Sequence, residues 1–111
     1  MTLSCRECGH SFMPRRADAA FCAPACKRAF NNRRATRGAE LYDLFLASRF
    51  DRQDPAVDGV WSVLCRMAHV WRAQDEAERA GRKSWCPARE VRARSARYVA
   101  TVVATNYRAG R

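Results

Sequence analysis

Isoleucine does not occur among the 111 residues, and lysine occurs twice against 19 arginines and 20 alanines. GC-rich coding favours arginine and alanine over lysine and isoleucine. The arginine-to-lysine ratio therefore says little about function, although arginine's flat fork of donors does suit phosphate. Long apolar runs are missing too. The longest stretch without a charged residue, 98–107, has ten residues, about half of a membrane span. Met1-Thr2-Leu3-Ser4-Cys5 lacks the apolar region of a signal peptide. The expectation is a cytoplasmic chain, neither membrane-spanning nor exported. Acids are scarce, 11 against 21 lysines and arginines, for a formal net charge of +10 and a pI near 10.2. This excess argues against a basic partner and for a polyanion, either nucleic acid or an acidic protein surface. The length allows one domain, or a small module with a helical extension, and favours help from a metal or a partner.

Charge divides what is present into three parts. Residues 1–38 carry net +6, residues 39–81 net −3, and residues 82–111 net +7. Short strands and turns are expected over the first 22 residues, with Gly9 in a turn and Pro14-Arg15-Arg16 in a loop. A helix is predicted from Pro24, where proline's missing N–H costs nothing. Gly38 either breaks this helix or merely weakens it. A second helix is predicted after Asp54-Pro55. Its apolar stripe is Val57, Val60, Trp61, Leu64, Met67, Ala68 and Trp71, and Gly81 marks its stop. Trp61, Trp71 and Cys65 read as buried, and Asp75, Glu76 and Glu78 as a solvated face. A third helix is expected to open at 84–87 and run through Val91, Tyr98, Val99, Val102 and Val103. Its end, residues 99–105, is rich in β-branched side chains, and a strand is the alternative there.

The strongest signal is Cys5-Arg6-Glu7-Cys8 followed by Cys22-Ala23-Pro24-Ala25-Cys26. Four sulfurs in two close pairs suit a tetrahedral zinc ion better than a disulfide scaffold or a redox pair. Four thiolates leave no open position for water, so one structural Zn2+ per chain is expected. His10 is the nearest competing ligand and reads as a strand residue beyond the knuckle. Cys5-x-x-Cys8-Gly9-His10-Ser11-Phe12 and Phe21-Cys22-Ala23-Pro24-Ala25-Cys26-Lys27-Arg28 resemble the treble-clef zinc fingers of the FCS, MYM and TRASH type. The resemblance covers residues 3–35, departing from the usual Phe-Cys-Ser by alanine at position 23. It implies four cysteine ligands on a knuckle, hairpin and helix. Partners of such fingers include nucleic acid, other proteins and, in a small bacterial relative, DNA gyrase. Residues 27–50 and 60–85 also resemble a small bacterial protein family without a settled activity.

The fold expected is mainly α: a treble-clef zinc module over residues 1–38, then a helical extension over 39–111 packed on it. Lys27, Arg28, Arg33, Arg34 and Arg37 on the first helix are candidate phosphate contacts, with Asn31 and Asn32 as candidate base readers. Arg15, Arg16, Arg82 and Lys83 are secondary contacts, and Trp85 is a candidate for stacking. Residues 23–50 contain no histidine, and no catalytic constellation assembles, so an enzyme is not expected. The function expected is nucleic-acid binding, DNA ahead of RNA, in a regulatory or accessory role. The alternative is an adaptor or inhibitor that docks an acidic surface of a nucleic-acid enzyme.

Overall fold

The computed structural model of the chain describes residues 1–103. Strand β1 (Leu3–Ser4) pairs antiparallel with β2 (Ser11–Phe12), with Leu3 opposite Phe12 and Ser4 opposite Ser11. Between them the chain makes a tight knuckle. The Cys5 N–H donates to the His10 carbonyl and the Gly9 N–H to the Cys5 carbonyl, both at 2.9 Å. Gly9 sits at φ +79°, in the left-handed region that glycine enters without penalty. A Cβ there would also meet the Arg82 guanidinium at 2.9 Å.

Helix α1 (Pro24–Phe50) opens on Pro24 and runs unbroken for 27 residues. Gly38 does not divide it and only weakens it, by about 1 kcal/mol relative to alanine. Asp54 then caps a single 3-10 turn, Pro55–Val57, its carboxylate accepting the Ala56 N–H at 2.9 Å. Helix α2 (Val60–Arg79) begins only after Gly59, at φ +73°. The Asp54-Pro55 signal therefore marks one turn, and a left-handed glycine redirects the chain before the helix. Ala80 and Gly81 end α2 at φ +50° and +79°, with the Gly81 N–H on the Asp75 carbonyl at 3.0 Å, a left-handed stop. Helix α3 (Ala88–Tyr98) continues into a π-type turn, Val99–Val103. The strand alternative fails over 99–103, and residues 104–105 lie outside the described part. No helix among the described residues is long and apolar enough to cross a membrane.

The core is small. Among the described residues only Cys5 and Phe30 are buried apolar side chains. Phe21 meets the Phe30 ring edge-on at 5.2 Å. Three guanidiniums close over Phe30, those of Arg6, Arg34 and Arg79, at 4.9, 5.7 and 5.8 Å from the ring centre. Helix α2 lies against α1; its Val60, Leu64, Met67 and Trp71 are half-buried, and its Asp75 and Arg79 are buried. Trp61 and Ala68, placed on this stripe from the sequence, are exposed instead, and so is Cys65; Ala68 lines an open groove beside Trp71. One neighbouring helix covers only a narrow seam, so the outer edge of a broader apolar stripe stays in solvent. Helix α3 buries none of its residues.

Phe30→Ala is expected to cost about 3–5 kcal/mol in a denaturant melt, since it empties the centre of this core. Trp61→Ala, at a side chain 76% exposed, is expected to leave the midpoint close to that of the parent. A large loss at Trp61 would mean that α2 presents a different face to α1.

Candidate metal centre

Both halves of the centre are set by local backbone chemistry. The knuckle turns Cys5 and Cys8 toward one point, and the Arg6 N–H, donating to the Ala20 carbonyl at 2.9 Å, ties it to the segment leading into α1. Cys22 stands just before α1 and Cys26 in its first turn, and Ala23 caps the helix without a side-chain bond. The four sulfurs lie within 4.8 Å of one another. Cys8 to Cys22 is 3.5 Å and Cys22 to Cys26 is 3.7 Å. A tetrahedral ion with metal–sulfur distances near 2.3 Å needs sulfurs about 3.8 Å apart. The cluster can therefore hold a metal ion, and it is zinc-finger-like in donor set and spacing. His10 is exposed and stands apart from the sulfur cluster.

The thiols show why a cation belongs among them. Burial pushes Cys5 up, but the backbone N–H groups of Cys8, Cys22 and Glu7 outweigh it and bring Cys5 from 9.0 down to about 6. Cys22 is pushed up to about 12, because hydrogen bonds with the Cys8, Cys26 and Cys5 sulfurs hold its proton. Cys26 also rises: its bond with Cys22 lowers it, and burial with the Cys5 and Cys8 sulfurs raises it by more. A divalent ion held by these sulfurs must displace their protons.

Glu7, between the first two cysteines, carries no signal of its own in the sequence. Its carboxylate receives a fork from Arg33, Nη1 to Oε1 at 2.9 Å and Nη2 to Oε2 at 2.6 Å, and a further bond from Arg79 Nη1. Arg79 also donates to the Arg6 carbonyl at 3.0 Å and the Arg82 carbonyl at 3.1 Å, and Arg82 donates to the Glu7 carbonyl at 3.1 Å. Further along the seam, Arg37 grips Asp75 with Nη2 on Oδ1 at 3.0 Å, and Arg79 Nε lies 3.8 Å from the same oxygen. Arg34 donates to the Ser84 carbonyl, and Arg33 to its hydroxyl at 3.3 Å. The hydrogen bonds of Arg33, with help from Arg79 and against burial, hold Glu7 below its ordinary 4.5, and Glu7 in turn raises Arg33.

The basic residues marked out in the sequence therefore divide. Arg33, Arg34, Arg37 and Arg82 are tied into the joint between the knuckle, α1, α2 and the 81–84 loop. Lys27, Arg28, Asn31 and Asn32 of α1 lie exposed, and Arg15 and Arg16 are exposed on the preceding loop. Arg16 pairs with Asp18 at 3.3 Å in full solvent, and the exposed Lys83 lies over the Trp85 ring at 4.7 Å. A helical wheel carries the warning for part of this split. At 100° per residue, Arg33 and Arg37 share the face of Phe30 and Leu41, and that face is the one α1 buries. Asp75, read as solvated, is only 5% exposed because it answers Arg37 and Arg79. No family model matches the chain, and no curated protein or solved structure matches it. The cysteine cluster is thus the part of the zinc-finger resemblance that the structure itself carries.

Asp75→Ala is expected to cost about 3 kcal/mol, since it leaves the half-buried Arg37 guanidinium without its carboxylate, whereas Arg79 keeps Glu7. A silent Asp75→Ala would show the joint to be solvated. A metal held by the four sulfurs is expected to be released at lowered pH, because protons compete for the thiolates, and metal titration in weak buffer should show proton release. Glu7 acts in the same direction. Its depressed value means that its contribution is full at neutral pH and is lost as pH falls below 4.5 through the folded value. Glu7→Gln should flatten that part of the acid limb of a stability profile. An unchanged limb would contradict the role given to Glu7.

Proposed function

We propose that the cluster holds one structural zinc ion and that the protein binds nucleic acid, DNA ahead of RNA, in a regulatory or accessory role without catalysis. Zinc is favoured by four sulfur donors at tetrahedral spacing, the arrangement of closed structural sites. The observation that supports nucleic acid is the outward face of α1. Lys27, Arg28, Asn31 and Asn32 sit there exposed, and among the described residues none has an ion pair or a side-chain hydrogen bond to a residue of another element. Beside Lys27 an open groove of about 790 Å³ runs along Met13, Arg15, Arg16 and Phe21 to the start of α1. Cations on a loop and a helix that zinc would hold rigid can follow a phosphate backbone, and the two asparagines offer donor and acceptor pairs to adenine.

A second reading has its own support. A groove of about 410 Å³ between α1 and α2 is floored by Leu41, Ala68, Trp71 and Trp85, with Arg34, Arg37 and Arg72 around it. An apolar floor with a basic rim suits an acidic protein segment better than a nucleic acid. This is the adaptor or inhibitor reading.

Reversal of Arg15, Lys27 and Arg28 to glutamate is expected to remove DNA binding in a fluorescence-anisotropy titration while metal content stays at one ion per chain. Single reversals should lower the salt slope by about 0.9 for each phosphate that is no longer neutralised. Asn31→Ala or Asn32→Ala should weaken one sequence by about 1–3 kcal/mol and spare others if either reads a base. Arg33→Glu should instead lower the melting temperature, since Arg33 faces Glu7. A metal-loaded parent that binds no DNA or RNA at low salt contradicts the proposal and leaves the adaptor reading.

A further inference from the structure

Helix α3 is an amphipathic helix none of whose residues is buried among the described residues. At 100° per residue, Ala88, Val91, Tyr98 and Val99 fall within an arc of about 100°, with Arg92 and Arg94 at its two edges. Val91, Tyr98 and Val99 are 41%, 58% and 55% exposed. Among the described residues no arginine of α3 has an acid within ion-pair reach. The helix carries four arginines and one glutamate, a net charge of +3.

A face of opposite charge lies elsewhere in the same chain. Where α1 gives way to α2, Phe45, Phe50 and Trp61 are 58%, 81% and 76% exposed. Residues 39–60 carry net −3, and Asp43, Asp51 and Asp58 have no ion pair among the described residues. Two exposed apolar faces of opposite sign on one chain are complementary, whereas α3 against α3 would set like charges together. We infer that a second copy of this chain is the occupant: α3 of each protomer packs on the acidic α1–α2 elbow of the other, in a twofold dimer. A twofold axis makes the contact twice, with Val91, Tyr98 and Val99 against the elbow aromatics. Arg92 and Arg94 then reach the carboxylates at the rim. The inference does not rest on the nucleic-acid reading, because neither face includes the residues assigned to it.

Sedimentation velocity on the full, metal-loaded chain, freed of nucleic acid, tests the pairing. The expected mass is twice the 12.6 kDa of one chain, with association weakening as salt screens the rim. Arg92→Glu with Arg94→Glu is expected to be monomeric, and so is Asp43→Arg with Asp58→Arg. All four positions are exposed, so metal content and helical circular dichroism should match the parent. Mixing the two monomeric variants should restore a dimer, since each reversed α3 then meets a reversed elbow and each native α3 a native one. Val91→Asp supplies a third monomeric variant, in a helix that buries none of its residues. A parent that stays monomeric through the micromolar range at low salt overturns the inference and leaves α3 to another partner. Variants that remain dimeric, or a mixture that fails to pair, overturn it equally.

Discussion

The carboxylate of Glu7 is the group on which the rest of the arrangement depends. It lies inside the Cys-x-x-Cys turn, so the backbone that sets the metal ligands also sets its position. From there it holds Arg33 on α1 and Arg79 on α2 together. An apolar side chain at that place could pack, but it could not fix two guanidiniums at defined angles. Arg79 extends the joint to the Arg6 and Arg82 carbonyls and to Asp75, and Asp75 extends it to Arg37. The metal cluster and the helix pair are thus one unit, joined by a chain of ion pairs.

Such a joint makes sense in a chain with so little apolar core. The two buried apolar side chains among the described residues supply only a few kcal/mol of transfer free energy, well short of what ordering this backbone costs. A metal site contributes folding free energy directly, and the ion pairs contribute geometry more than net stability. Removing charges from water offsets much of their mutual attraction, so a buried pair adds little, whereas breaking one costs a great deal. Arginine fits this role because its fork bonds a carboxylate while its flat face lies on Phe30.

What could be read from the sequence was what depends on neighbours along the chain. The four cysteines, the left-handed Gly9, the proline at the start of α1 and the glycine after α2 are local signals, and each stands where it was expected. The partners of Arg33, Arg34 and Arg37 were not legible, because Glu7, Ser84 and Asp75 lie 26, 50 and 38 residues away respectively. A basic run on a helix looks the same whether its arginines face water or a distant acid. The shared face of Arg33, Arg37 and Phe30 was the one available clue. Trp61 misled for a related reason, since an apolar stripe does not disclose how many neighbours will cover it. The outward cations, Lys27 and Arg28 above all, gained meaning only once the inward ones were taken up.

If Glu7 joins the metal centre to the helix pair, removing the metal must loosen α2 as well as the knuckle. Amide hydrogen exchange resolved along the chain, with the metal bound and after chelation, measures this directly. Chelation is expected to remove protection from the knuckle, the first turn of α1 and the C-terminal half of α2 around Asp75 and Arg79 together. Full protection of α2 in the metal-free protein, with exchange confined to the cysteine segments, would contradict that coupling.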